Sequence, residues 1–212
     1  MDNYKIIPVS TELISEIARL HAIVMPHSPI SELGWEFMTQ VYFPTLLQEG
    51  HGEAVIAYYK GKPVGMTAYA FDSHSFYTAL GRKRIKIIKA VAKEIKRDLS
   101  TLSTVIRATR FYFQKNTEPT SEIPAEHLAI IVLEEYRASD FVRKNRLYFA
   151  RDLFHSAMES MRSKGINKFR LFTDDYETNP QANIFYRMLG GTLVWSGMNR
   201  GHISNAYVFD LM

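Results

Sequence analysis

At 212 residues, with 46% hydrophobic and 13% aromatic residues, the chain is long enough for one domain that buries its own core without covalent staples. It has no cysteine, which rules out disulfides, thiolate metal sites and a cysteine nucleophile, and gives no redox clue to its compartment. A formal charge of +4 suits a polyanionic ligand without demanding one, and no stretch approaches the ~18 apolar residues of a membrane span, so a soluble, cytoplasmic chain is expected.

Residues 4–9 read as a first strand. Ser10 and Glu12 offer a cap and an acid ahead of an amphipathic run, Leu13, Ile17, Leu20, His21 and Val24, that Pro26 closes. After turn-rich residues 27–31, Trp35, Met38 and Tyr42 keep helical spacing in a second helix expected to end near Pro44 and Gly50. Residues 53–59 and 63–70 flank Lys60, Gly61 and Lys62, where a hairpin reversal is expected.

Residues 73–118 break the regular plan as a helical insert. Ile85, Ile88, Val91, Ile95, Leu99 and Leu102 share one helical face, and Arg82, Lys83, Arg84, Lys86, Lys89, Lys93, Lys96 and Arg97 fill much of the rest. The bland reading is a solvated basic face over a packed stripe. The sharper one is peripheral contact with a membrane, or with nucleic acid, through residues 82–97. Of the two, membrane contact is the one kept, and no nucleic-acid partner is expected. Residues 116–124 read as an exposed loop.

Residues 126–133 form a nearly continuous apolar run that suits the centre of a sheet. Glu134, Glu135, Tyr136 and Arg137 follow, then a long helical pattern through Leu147, Ala150, Phe154, Ala157 and Met161 to Gly165. Residues 168–173 alternate basic and apolar side chains, as a half-buried strand would. Asn179 is then a good helix cap, Pro180 suits the first helical position, and Ala182, Phe185, Tyr186 and Leu189 keep helical spacing until Gly190. Residues 191–196 and 205–212 read as two strands joined by a turn over 197–204.

This strand, cap, short helix and glycine exit resemble the signature of the GNAT superfamily of N-acyltransferases. That signature runs Asn, two residues, Ala, two residues, an apolar residue, Tyr, then Leu-Gly, and Asn179, Ala182, Phe185, Tyr186, Leu189 and Gly190 match it in register. The resemblance implies a single α/β (α+β) domain over residues 1–212. Its mixed, mostly antiparallel central sheet would be flanked by helices, with the helical insert between the third and fourth strands. It also implies transfer of an acetyl or related acyl group from a coenzyme A thioester, acetyl-CoA, to a small-molecule amine. Residues 29–42, a Leu-Gly helix after a proline turn, resemble family members associated with amino sugars, so an amino sugar acceptor is one expectation.

The resemblance also assigns roles. Backbone N–H groups of Ile130, Ile131 and Val132 would meet the carbonyl and pantetheine arm, and Asn179 and Ala182 would belong to the cofactor site. Tyr186 would be the acid for the departing thiolate, although phenol near 10 against thiol near 8.5 makes that transfer uphill by about 1.5 units. The plain alternative for Tyr186 is a core aromatic. Glu126 is the candidate base, acting directly or through water, or else an exposed strand end. His127 beside it would point to the opposite face.

Val132 with Glu135, Tyr136 and Arg137 matches the front half of the family's pyrophosphate loop, but the glycines of the back half are missing. A diphosphate is held best by backbone N–H groups at a helix N-terminus, which glycines let it approach. Two registers compete. If Arg137 opens the loop, Asp140 and Val142 stand where the family has glycine; if the loop is expanded, residues 145–150, including Asn145 and Arg146, take its place and Ala150 alone fits. Arg143, Lys144 and Arg146 would then supply charge-assisted contacts, or are simply solvated. A chain that had lost this site would be a catalytically silent module binding a ligand, a membrane or a partner. No metal is expected: no His-x-x-x-His pair occurs, no Gly-x-Ser-x-Gly elbow is present, and Gly61 with Lys62 lacks a phosphate loop's other glycine.

Overall fold

The computed structural model describes residues 4–97, 120–199 and 202–211. Among these, seven strands form one sheet: β1 Tyr4–Pro8, β2 Gly52–Tyr59, β3 Lys62–Ala70, β4 Glu126–Val132, β5 Lys168–Asp174, β6 Thr192–Asn199 and β7 His202–Asp210. Their order is β1-β2-β3-β4-β5-β7-β6. Neighbours are antiparallel except β4 and β5, which run parallel. The apolar run therefore takes the middle position, as its composition requires. Pairing of β2 with β3 continues to Tyr59 and Lys62, leaving Lys60 and Gly61 as a two-residue turn with φ of 50° and 74°. Positive φ at both positions lets such a turn follow the twist of its strands.

Helix α1, Ile14–Val24, buries Ile14, Ile17, Ala18, Leu20 and His21. Ser10 does not cap it; a 3-10 turn, Thr11–Leu13, leads in instead, and the Ser10 side chain makes no capping bond. Ser28 caps α2, Pro29–Glu32, by accepting the Ser31 N–H. The second helix, expected to end near Pro44 and Gly50, runs past Pro44 and ends at Leu47. Helix α3, Trp35–Phe37, continues through a π-helical turn, Met38–Tyr42, into α4, Phe43–Leu47. Widening the helix just before a residue that has no N–H to donate lets the chain carry on past it.

Helices α1 to α4 with α5, Ser73–Arg82, and α6, Arg84–Arg97, cover one face of the sheet, where Ile17, Leu20, Phe37, Leu46 and Phe76 pack on Ile56 and Met66. After β4 come two short helices, α7 Glu134–Arg137 and α8 Ser139–Asn145, and then α9 Phe149–Ser163; α10, Pro180–Met188, follows β5. Helices α9 and α10 cover the other face, packing Phe154, Ala157, Met161 and Tyr186 on Phe169, Leu171, Tyr207 and Phe209. Each fully buried Leu, Phe or Met among these contributes about 1.5–3 kcal/mol.

Three further expectations change. In α6 the single stripe is split: Ala90 is buried and Ile87, Val91 and Ile95 face the core, while Ile85 and Ile88 are 72% and 65% exposed. The helix leans on α3 and the π-helical turn, and that contact selects the 87/91/95 row. Leu99 and Leu102 lie outside the described residues, as do residues 116–119 of the expected loop; Thr120 is buried rather than exposed. At the C-terminus the turn is shorter than expected, because β6 and β7 pair as far as Asn199 and His202. Gly197 is a strand residue there, and a Cβ on it would stand 2.7 Å from the Trp195 ring that covers it.

Candidate active site

Strands β4 and β5 touch in register only at Glu126 with Arg170 and His127 with Leu171. Beyond that point they part. The register of β4 against β3 slips between Ala68 and Tyr69, leaving Leu128 as a bulge that bends the strand away. From there β4 stays paired with β3 up to Val132, and the Leu133 N–H donates to the Val64 carbonyl at 2.9 Å. Antiparallel ladders alternate, so Ile131 also bonds towards β3 while the N–H groups of Ile130 and Val132 face the side that β5 has left. Of the three expected donors, Ile131 is therefore committed to the sheet.

The closed end of this V is polar. Glu126 and Arg170 are buried and ion-paired at 3.1 Å. Arg170 also donates to the Thr120 carbonyl at 2.6 Å and to Ser73 Oγ at 3.1 Å, and the Tyr77 hydroxyl lies 3.5 Å from the second Glu126 oxygen. Glu126 is thus neither an exposed strand end nor a free carboxylate. Two charges out of water are tolerable because each is met by the other and by further hydrogen bonds. His127 does point the other way, its Nε2 2.7 Å from Thr67 Oγ1 and its ring 5.1 Å from that of Phe154. Burial lowers its pKa to about 3, so the imidazole is neutral.

Across the V, the Asn179 side chain accepts the Ala182 N–H at 3.2 Å, and Gly190 takes φ +92° beyond the helix end. Asn179 is thus engaged as a cap. Tyr186 is buried among Phe154, Phe185 and Tyr207. Desolvation raises its pKa well above the ordinary phenol range, so it is held protonated. Sequence reasoning missed Asn183. Fully buried, it donates to the carbonyls of Asp174, Asp175 and Asn179 at 2.9, 3.1 and 2.8 Å, and accepts from Asn205 Nδ2 at 2.7 Å and the Tyr207 hydroxyl at 2.9 Å. One residue thereby ties the end of β5, the start of α10 and β7, one turn from Tyr186. The available signal was an amide among the apolar positions 182, 185 and 186.

In the passage from β4 into α9 the residues of the two competing registers fall on different elements. Arg137 ends α7, and Asp140 and Val142 lie inside α8, so none of the three stands at the start of α9. Asn145 is used internally, donating to the Phe141 carbonyl at 2.9 Å and accepting a long 3.4 Å bond from Tyr59. Arg146 turns the chain with φ 54°, a left-handed conformation that usually selects glycine, and its side chain is exposed. Helix α9 then starts at Phe149 with no side-chain cap, which leaves first-turn N–H groups unclaimed at the positive end of a 15-residue helix. Phe141, Leu147 and Phe149 turn inward onto Tyr4, Tyr59 and Tyr136 and do not project across that terminus. Tyr148, 46% exposed, carries the Arg151 guanidinium over its ring at 4.6 Å. Arg151 also pairs with Asp152 at 3.2 Å, so the uncapped helix start and the exposed Arg146 are what fit a diphosphate here. Among the described residues no three His, Asp or Glu side chains gather as a metal site needs.

The fold, with a bulged β4 splayed from a parallel β5, is like that of solved acetyltransferase structures, one described as a GNAT-family member among them. No family profile and no curated sequence matches the chain. Among solved structures it is similar to an N-acetyltransferase from Staphylococcus aureus, with a TM-score of 0.59, 14% identity and 100% of both chains covered. It is similar also to the Salmonella typhimurium protein yncA with its cofactor acetyl-CoA, with a TM-score of 0.58, 10% identity, and 100% of this chain and 95% of that one covered. An Arabidopsis thaliana protein in complex with the bisubstrate analogue CoA-Ac-MVNAL gives 0.55 at 11% identity, over 98% of this chain and 99% of that one. At these identities the likeness is one of fold.

Proposed function

We propose that the protein transfers an acetyl or related acyl group from a coenzyme A thioester to the amine of a small molecule. The observation that carries this reading is the gap between β4 and β5, where the Ile130 and Val132 N–H groups face away from the sheet on the strand that leads to the uncapped start of α9. The thioester, when bound, supplies an activated acyl carbon. Ile130 and Val132 would donate to its carbonyl and arm, and the first turn of α9, with Arg146 nearby, would hold the diphosphate. The amine's lone pair forms the new C–N bond as the C–S bond breaks.

Tyr186 would give its proton to the departing sulfur. Its raised pKa keeps that proton available while making full transfer costly, so donation requires a contact formed before the bond breaks. Glu126 would take the amine's proton through water, on the Tyr77 side, since Arg170 occupies its other oxygen. Neither Asn179 nor Ala182 is free to do more at its capping bond than orient the helix that carries Tyr186. An amino sugar is the proposed acceptor, supported by the likeness of residues 29–42 alone.

Tyr186→Phe is expected to lower kcat by about 10²–10⁴-fold while leaving acyl-CoA binding unchanged in calorimetry. Failure of the wild-type chain to bind acyl-CoA at millimolar ligand would overturn the assignment. Residues 145–150, of which Ala150 alone fits the family's loop, favour one second reading, a relative that binds the ligand without turnover. Binding with no acetylation of any amine offered, amino sugars and peptides included, would select it.

A further inference from the structure

The exposed side of α6 bears no relation to the cleft, and its composition is lopsided. Residues 82–97 carry eight Lys or Arg against one acid, Glu94, a charge of +7 in a chain whose total is +4, so the remaining residues sum to −3. Glu94 faces inward, its carboxylate against Gly34. Lys83 is paired with Glu49 and Lys93 with Glu36. Among the described residues, Arg82, Arg84, Lys86, Lys89 and Lys96 have no carboxylate partner, and all five are exposed.

Within this cationic field stand Ile85 and Ile88, 72% and 65% exposed and one turn apart, with exposed Ala92 one turn further on. The row cannot reach the core, because the opposite row, Ile87, Ala90, Val91 and Ile95, already occupies it. Cationic character continues past the helix start into a pocket of about 360 Å³ lined by Arg82, Lys83, His51, Ser75, Thr78 and Glu49. Isoleucines projecting between lysines match an interface where charges meet headgroups and aliphatic side chains enter the acyl layer. A nucleic acid would use the lysines and gain nothing from the isoleucines.

We infer that the outer face of α6 docks the protein on an anionic lipid bilayer, with Ile85 and Ile88 inserted and Arg84, Lys86, Lys89 and Lys96 at the headgroups. This contact is independent of the acyl-transfer reading.

The test is co-sedimentation of the full chain with vesicles of phosphatidylcholine alone or rich in phosphatidylglycerol. Binding is expected on the anionic vesicles and should weaken with salt. Lys86→Gln with Lys89→Gln should lower the partition coefficient about 25-fold, near fivefold per charge, and Ile85→Ser with Ile88→Ser at least about tenfold. All four side chains point to solvent, so both variants should keep the wild-type melting temperature. No binding to anionic vesicles overturns the inference, and so does undiminished binding by the isoleucine variant. Tighter binding to duplex DNA or RNA that ignores the isoleucines would reassign the face to nucleic acid.

Discussion

The two flanks of the V hold their shape by opposite means. On the α10 side a polar centre, Asn183, satisfies five neighbours and sets the helix that carries Tyr186. On the α7–α9 side Tyr4, Tyr59, Tyr136, Phe141 and Phe149 meet mostly edge to face, with centroids 5.0–6.0 Å apart. Hydrogen bonds are directional, so the first flank admits one arrangement of its residues. Aromatic packing asks for volume and tolerates a lengthened chain, and on the second flank it holds two short helices, α7 and α8, ahead of α9.

Removing the polar centre should break the comparison most visibly. Asn183→Leu leaves the buried Tyr207 hydroxyl and Asn205 side-chain amide without the acceptor they share, at about 1–3 kcal/mol each, so urea unfolding should report a loss of about 3 kcal/mol. A loss under about 1 kcal/mol would mean that packing alone sets α10.

Acid should act next, through His127, which joins β4 to Phe154 of α9. Its folded pKa of about 3 lies below the ordinary 6.5, so the unfolded chain takes a proton that the folded one refuses. Stability is then full above about pH 6.5 and falls as pH drops, by about 2 kcal/mol at pH 5. His21, lowered by burial to about 4, should add a similar loss. Unfolding at neutral and acid pH, with His127→Gln as control, measures this; a variant with an unchanged slope would refute the assignment.

The smallest expected effect on stability sharpens the contrast. Arg146→Gly relieves a left-handed residue but loosens the unfolded chain, so stability should move by less than about 1 kcal/mol. If the guanidinium grips a diphosphate, KM for acyl-CoA should nevertheless rise about tenfold. An unchanged KM would leave that grip to the backbone of α9.

What the sequence disclosed follows the same division. The α10 unit was legible because a cap, an apolar spacing and a glycine exit are local and lie within thirteen residues. The start of α9 was not, because its register is chosen by Tyr4 and Tyr59, far upstream in the chain. Periodicity showed that α6 is amphipathic, yet could not say which row of isoleucines the core would take. The π-helical turn ahead of Pro44 was not legible, because it has no signature in residue spacing. Asn183 and the Glu126–Arg170 pair escaped for a shared reason: a buried polar side chain makes sense only beside partners that other strands bring to it.

The brief contact of β4 with β5 also bears on how the chain is made. Residues 4–132 leave the ribosome before β5 exists, and β4 then presents its whole outer edge to whatever is near. Most strands lose that vulnerability once a neighbour arrives, but here the later neighbour covers two positions and leaves the rest bare. A nascent chain with so sticky a border would draw on chaperones early and favour slow, dilute production.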